Sequence, residues 1–124
     1  MGKNLTVLAV DDDMINLKLL KSMLMKTGDV KEVIEAKNGS DAIGHIKARN
    51  DIDLILLDII MPVMNGIEML KVVRSDENIE QVPIIVLTTD ETKRTEALDL
   101  GANGFLMKPI RANDLAEKIG SIIL

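Results

Sequence analysis

Hydrophobic runs and amphipathic stretches alternate five times along the chain. Leu5–Val10, Val30–Ala36, Ile52–Leu57, Val82–Leu87 and Gly104–Met107 are short apolar runs that read as strands. Between and after them, Met14–Lys26, Ser40–Arg49, Gly66–Arg74, Thr92–Leu100 and Ala112–Ile123 read as helices. In the first helix Leu17, Leu20 and Leu24 recur at i, i+3 and i+7, which draws one core-facing stripe. Gly28 stands just beyond it, where a glycine ends a helix. Asn65, with Glu68 three residues on, resembles a capping box for the third helix. Strict alternation through short connections predicts an α/β domain, a parallel sheet with helices on both faces. Ile52–Leu57, broken only by Asp53, fits a strand buried on both sides in the middle of that sheet.

Candidate chemistry stands at the carboxyl end of each strand. Asp11, Asp12 and Asp13 come directly after the first, Asp58 after the third, Thr88 and Thr89 after the fourth, Lys108 and Pro109 after the fifth. In a parallel sheet these positions share one edge, and ligands of open α/β sheets bind outside that edge. With the doubly wound, flavodoxin-like strand order 2-1-3-4-5, strands one and three are neighbours at the switch point. Carboxylates, a hydroxyl and an ammonium then converge on one crevice. Crowded carboxylates repel unless a cation neutralises them. Oxygen-only ligands with open positions favour a hard divalent ion such as Mg²⁺ (or Mn²⁺). An acid-held cation beside a spare carboxylate, a lysine and a threonine is equipment for holding a phosphoryl group. The sequence contains no Walker glycine loop, GxGxxG or Ser/His/Asp set. Asp58 is the most exposed acceptor, as an aspartyl-phosphate nucleophile.

Composition narrows the class. A chain of 124 residues, 47% hydrophobic and 28% charged, is expected to form one globular domain over 1–124. No cysteine is present, which removes disulfides and thiolate metal sites. The net charge of −5 and a single aromatic residue, Phe105, argue against nucleic-acid binding by phosphate neutralisation or base stacking. Leu5–Val10 is too short for a signal-peptide core or membrane span, so a soluble cytoplasmic protein without membrane insertion is the expectation. No linker or repeat is visible, and no output domain is expected after the fifth helix.

Four stretches together resemble the response-regulator receiver domain of two-component signalling, most closely a stand-alone, chemotaxis-regulator-like one. They are VDDD at Val10–Asp13, LLDIIMPVMNG at Leu56–Gly66, PIIVLTT at Pro83–Thr89 and GANGFLMKPI at Gly101–Ile110. They cover nearly the whole chain, in the family's order and spacing. The resemblance implies that Asp58 accepts phosphate from a sensor histidine kinase or phosphotransfer protein. It implies that Asp12 ligates Mg²⁺ directly and Asp11 mainly through water, with the phosphoacceptor Asp58 and the backbone carbonyl of Ile60 as further ligands. Thr88 would bind a phosphoryl oxygen and Lys108 would pair with Asp58 or its phosphate. Phe105 occupies the switch-aromatic position, swinging inward as Thr88 moves. The Lys108–Pro109 bond would be cis, an isomer that proline makes accessible. Signalling to a downstream protein target would run through a rearranged face made by the fourth helix, fifth strand and fifth helix. The domain would act as a monomer or phosphorylation-dependent dimer, catalysing its own phosphorylation and slow dephosphorylation rather than turning over an external substrate.

Two departures stand out. Arg111 occupies a position that is often Thr or Ser in the family, so the last helix is expected to start a little later, capped by Asn113. Ile60 and Asp90 occupy positions that tune hydrolysis, and apolar Ile60 is expected to hinder the attacking water. Other residues have plainer readings. Asp13 is expected to be a turn or cap residue rather than a third ligand. His45, without a metal-spaced partner, reads as a surface histidine. The eight methionines read mainly as gap-filling core, although Met64 and Met69 near the site offer an adaptable partner surface. A Mg²⁺-dependent phosphatase working through an aspartyl intermediate would want an acid at position 60 and a cap over the pocket. A flavin carrier would want Trp or Tyr, and the chain contains neither.

Overall fold

Five parallel strands, β1 (Leu5–Val10), β2 (Val30–Ala36), β3 (Leu54–Asp58), β4 (Ile84–Thr88) and β5 (Gly104–Met107), form one sheet in the order β2-β1-β3-β4-β5. This is the flavodoxin-like order expected from the sequence. The computed structural model describes residues 4–58, 66–75 and 82–123. Helices α1 (Met14–Lys26) and α5 (Ala112–Ile122) cover one face. Their Leu17, Leu20, Leu24, Leu115 and Ile119 pack on Val7, Ala9, Leu54, Leu56, Ile85 and Leu87 of the sheet. Helices α2 (Gly39–Ala48), α3 (Gly66–Ser75) and α4 (Arg94–Asp99) cover the other, with Ile46, Met69, Leu70, Val73 and Ala97 packed on Leu8, Val10, Ile55, Leu57 and Val86. Every residue of β1, β3 and β4 is buried, as a doubly covered parallel sheet requires.

The stripe on α1 explains that helix. Burying each leucine is worth about 1.5–3 kcal/mol, against about 1 kcal/mol for an N-cap. The cap is nonetheless present: Asp13 Oδ1 accepts the Ile15 N–H at 2.8 Å, the role expected of it. Gly28 follows the helix at φ +78°, the left-handed conformation that ends a helix at little cost to glycine.

Several boundaries differ from expectation for identifiable reasons. β3 begins at Leu54 rather than Ile52, because Asp53 turns its carboxylate to the Thr6 N–H (2.9 Å) while its own N–H donates to the Thr6 carbonyl (2.8 Å). β4 begins at Ile84, after Pro83, which has no N–H for a ladder. The expected helix Thr92–Leu100 is a 3₁₀ turn, Glu91–Lys93, followed by the shorter α4. Asp90 tightens that entry by accepting the Thr92 N–H at 3.0 Å. The helix α5 does not start late under an Asn113 cap. It starts at Ala112 with Arg111 in the capping position, making no side-chain cap bond, while the Arg111 carbonyl accepts the Leu115 N–H at 3.0 Å. Burial of Leu115 and Ile119 sets this start without help from a polar cap. The Asn65 half of the expected capping box lies outside the described residues. Among the described residues no helix is long and apolar enough to cross a membrane.

Candidate functional site

The carboxyl ends of β1, β3, β4 and β5 meet at one edge of the sheet, and each delivers a group with chemistry. Asp11 follows β1 and is almost wholly buried; its N–H donates to the Ala36 carbonyl of β2 at 3.0 Å. Asp11 Oδ1 accepts the Asp13 N–H at 2.9 Å, closing the turn into α1. Its other oxygen, Oδ2, accepts a hydrogen bond from Lys108 Nζ at 3.1 Å. Asp58 is the last residue of β3, opposite Leu87 of β4. The same Nζ lies 3.4 Å from Asp58 Oδ2. Lys108 is the residue after β5, and its N–H donates to the Thr88 carbonyl at 2.9 Å, so the main chain of β4 fixes where the ammonium starts. The Lys108–Pro109 bond is cis, as the resemblance implied.

Asp11, Asp12 and Asp58 each present a carboxylate oxygen, and these oxygens lie within 4.8 Å of one another. Asp12 is exposed, whereas Asp11 and Asp58 are buried, so Asp58 is not the most exposed acceptor expected from the sequence. Three carboxylates against one ammonium leave the cluster with excess negative charge, and an all-oxygen donor set of this kind suits a small divalent cation. The donor chemistry therefore fits Mg²⁺. Burial works to lower the pKa of the Lys108 ammonium, but its hydrogen bond to Asp11 and the charges of Asp58 and Asp11 outweigh burial, and the pKa is raised. Lys108 is a permanent cation at neutral pH.

Thr88 ends β4, buried, and its Oγ1 accepts the Asp90 N–H at 3.1 Å. A threonine hydroxyl that accepts in this way keeps its own hydrogen to donate. Phe105, half-buried in β5 one strand over, packs against the cluster containing Val86 and Ala97. The Arg94 guanidinium lies 5.9 Å from the centre of its ring. An apolar cavity of about 370 Å³ adjoins the site, with Leu20, Met23, Leu87 and the Lys108–Pro109 segment in its wall.

Asp11, Asp12, Asp58 and Lys108 are thus brought together, with Thr88 on the same edge and Phe105 behind it. Ile60 and Met64 lie outside the described residues. Met69 is not a surface residue near the site: it is wholly buried under α3. The methionines are also less uniformly core than expected, because Met14, Met25 and Met107 are exposed. His45 pairs only loosely with Asp41, at 3.8 Å, and is partly exposed. Asp90 has a structural part that the sequence reading did not assign it, holding Thr88 and Thr92. Its signal was the Asp-x-Thr spacing, an Asx turn in which the carboxylate bonds two residues ahead.

Comparison with known proteins agrees with this geometry. The family model described as the response regulator receiver domain matches residues 7–120. The chemotaxis protein CheY-3 of Vibrio cholerae is 33% identical over 124 residues, covering 98% of this chain and 94% of that protein. Chemotaxis protein CheY of Pseudomonas aeruginosa is 35% identical over 119 residues, covering 94% of each. Among solved structures, the chemotaxis response regulator CheY4 of Vibrio cholerae superposes with a TM-score of 0.87 at 32% identity, covering 96% of this chain and 98% of that one. The receiver domain of a Pseudomonas aeruginosa sensor histidine kinase superposes at 0.86 with 29% identity, covering 99% and 98%, and holds a magnesium ion in its active site cleft. The acidic edge, the strand order and a family match spanning all but the chain's two ends lead to one assignment: the chain belongs to the response regulator receiver domain family, the phosphoacceptor switches of two-component signalling.

Proposed function

We propose that this domain takes a phosphoryl group from a sensor histidine kinase or phosphotransfer protein onto Asp58, in a Mg²⁺-dependent reaction that it catalyses itself. The observation that carries the reading is Lys108 Nζ set between Asp11 Oδ2 and Asp58 Oδ2, at 3.1 and 3.4 Å, inside a cluster of three carboxylates. One cation shared by two acids is poised to exchange a carboxylate partner for a phosphoryl oxygen.

In the reaction a carboxylate oxygen of Asp58 forms a bond to phosphorus as the P–N bond of the donor phosphohistidine breaks, and the imidazole leaves with the electron pair. Asp12 would hold the metal directly and Asp11 mainly through water, with Asp58 and the Ile60 carbonyl as further ligands. Bound there, Mg²⁺ supplies charge neutralisation at the phosphoryl oxygens. Lys108 offsets the remaining charge, and the Thr88 hydroxyl donates a hydrogen bond to a phosphoryl oxygen. The product adds about −1.5 to −2 charge at Asp58. Thr88 and Lys108 follow that charge, Phe105 turns inward, and the face formed by α4, β5 and α5 is remodelled for a downstream protein. Apolar Ile60 slows hydrolysis of the acyl phosphate.

Incubation with acetyl phosphate and Mg²⁺, with the products read by intact mass, tests the core of this reading. One hydroxylamine-labile phosphoryl adduct is expected on the native protein and none on Asp58→Asn. An adduct that survives in Asp58→Asn, or a native protein left unlabelled and unmoved by beryllofluoride, overturns it.

A further inference from the structure

The residues that the switch would move, Thr88 and Phe105, sit on neighbouring strands, and one short segment touches both. The Asp90 N–H donates to Thr88 Oγ1 at 3.1 Å, and the Asp90 carboxylate accepts both the N–H and the hydroxyl of Thr92. Two residues further on, Arg94 opens α4 and places its guanidinium 5.9 Å from the centre of the Phe105 ring. Phe105 is the chain's single aromatic residue, so Arg94 has no other ring to choose. Its neighbour Glu91 stands 3.4 Å away, but both side chains are 58% exposed, and such a pair contributes little.

We propose that Arg94 is a positioning residue for the switch: its guanidinium holds Phe105 in the place seen here and thereby sets how readily the domain reaches its phosphorylated form. The inference rests on the reading of Phe105 as the switch aromatic. A group that interacts with only one of two states shifts their ratio by the strength of that interaction. At an exposed site a cation over a ring is worth about a two- to fivefold change in population. The guanidinium is carried by α4 and the ring by β5, so a ring that turns inward leaves the cation behind. Arg94 therefore weighs against activation, and its removal favours it.

The test tracks the ring itself. With no Trp or Tyr, the aromatic proton signals belong to Phe105 and His45 alone, and titration with beryllofluoride in excess Mg²⁺ can be read directly at Phe105. The half-conversion concentration is expected to fall about two- to fivefold in Arg94→Ala and Arg94→Met, and less in Arg94→Lys, which keeps a weaker cation. In the native protein the ring-current displacement of the Arg94 δ-protons is expected to vanish as the complex forms, and Glu91→Gln is expected to titrate as the native protein does. Variants that match the native midpoint while the native Phe105 signal moves overturn the role of Arg94 and leave the switch reading standing. So does a Glu91→Gln protein that reproduces the Arg94→Ala shift, or a ring-current displacement that persists in the complex. A native Phe105 signal that ignores beryllofluoride overturns both.

Discussion

The two ends of the sheet treat polar groups in opposite ways. At the amino-terminal edge main-chain groups and charged side chains are tied off, the buried Thr6 hydroxyl being an exception among the described residues. Asp53 exchanges hydrogen bonds with Thr6 through carboxylate and main chain. Arg74, in the last turn of α3, donates to the Gly101 carbonyl (2.9 Å), the Val82 carbonyl (2.8 Å) and Asn103 Oδ1 (2.7 Å), and Asn103 Oδ1 also accepts the Ile84 N–H at 3.0 Å. Gly101 sits at φ +106°, and a Cβ there would come within 3.0 Å of the Arg74 stem. At the carboxyl-terminal edge, three carboxylates crowd together and two of them, Asp11 and Asp58, share one ammonium. One end uses its polar groups to hold loops together, while the other crowds like charges at a cost to the fold. Such strain at a site is expected where a ligand of opposite charge, or a transferred group, relieves it.

Substitutions should therefore separate by edge. Lys108→Met is expected to have the largest effect, about 100-fold or more in the rate of labelling by acetyl phosphate, the scale of losing one preorganised donor to developing charge. Single-turnover labelling measures it. Arg74→Met comes next and acts on the other quantity: loss of charged hydrogen bonds to three acceptors should lower unfolding stability by about 2–3 kcal/mol with the labelling rate unchanged. Urea unfolding checks the first part, and a large fall in labelling would erase the contrast between the edges. Asp12→Ala should be smaller and opposite in sign. Removing an exposed like charge from the cluster is expected to stabilise the metal-free fold by about 0.5–1 kcal/mol while abolishing the rise in Tm produced by Mg²⁺.

The smallest effect expected is none at all. The Lys108 pKa is raised in the folded chain, so its contribution to stability is complete below the ordinary lysine value near 10.4 and is lost only as pH rises through the higher folded value. Between about pH 6 and 9 the difference in stability between native protein and Lys108→Met should be flat. A slope there, measured by urea unfolding across the range, would mean either that the ammonium titrates or that its removal lets the crowded carboxylates take up protons.

How much of this was legible in the chain depends on where each signal lives. Both helical layers and the placing of Asp11, Asp12, Asp58 and Lys108 at one sheet edge are visible in sequence, because each strand end carries its group within a residue or two, whereas the strand order came with the receiver-domain resemblance. The stripe Leu17, Leu20, Leu24 is equally local. The Arg74 clamp is not legible, since its acceptors among the described residues include two main-chain carbonyls and one amide oxygen, 8 to 29 residues away, with no sequence mark. The start of α5 misled because capping preferences are worth about 1 kcal/mol and the burial of Leu115 and Ile119 is worth more. The broken entry to α4 came from Asp90, whose local bond to Thr92 competes with a regular first turn.

Asp58 belongs to the ladder as the last residue of β3, and this has a mechanical consequence. Its main chain ends the central strand and pairs with Leu87 of β4, while the strand that carries it lies between β1 and β4. On the reading proposed above, a phosphoryl group added to Asp58 would meet little recoil from the residue that carries it. The load would pass outward to β4 and β5, whose flank carries a 3₁₀ turn, a helix of only six residues and the sheet's edge. A rigid anvil at the centre would then make the periphery the moving part.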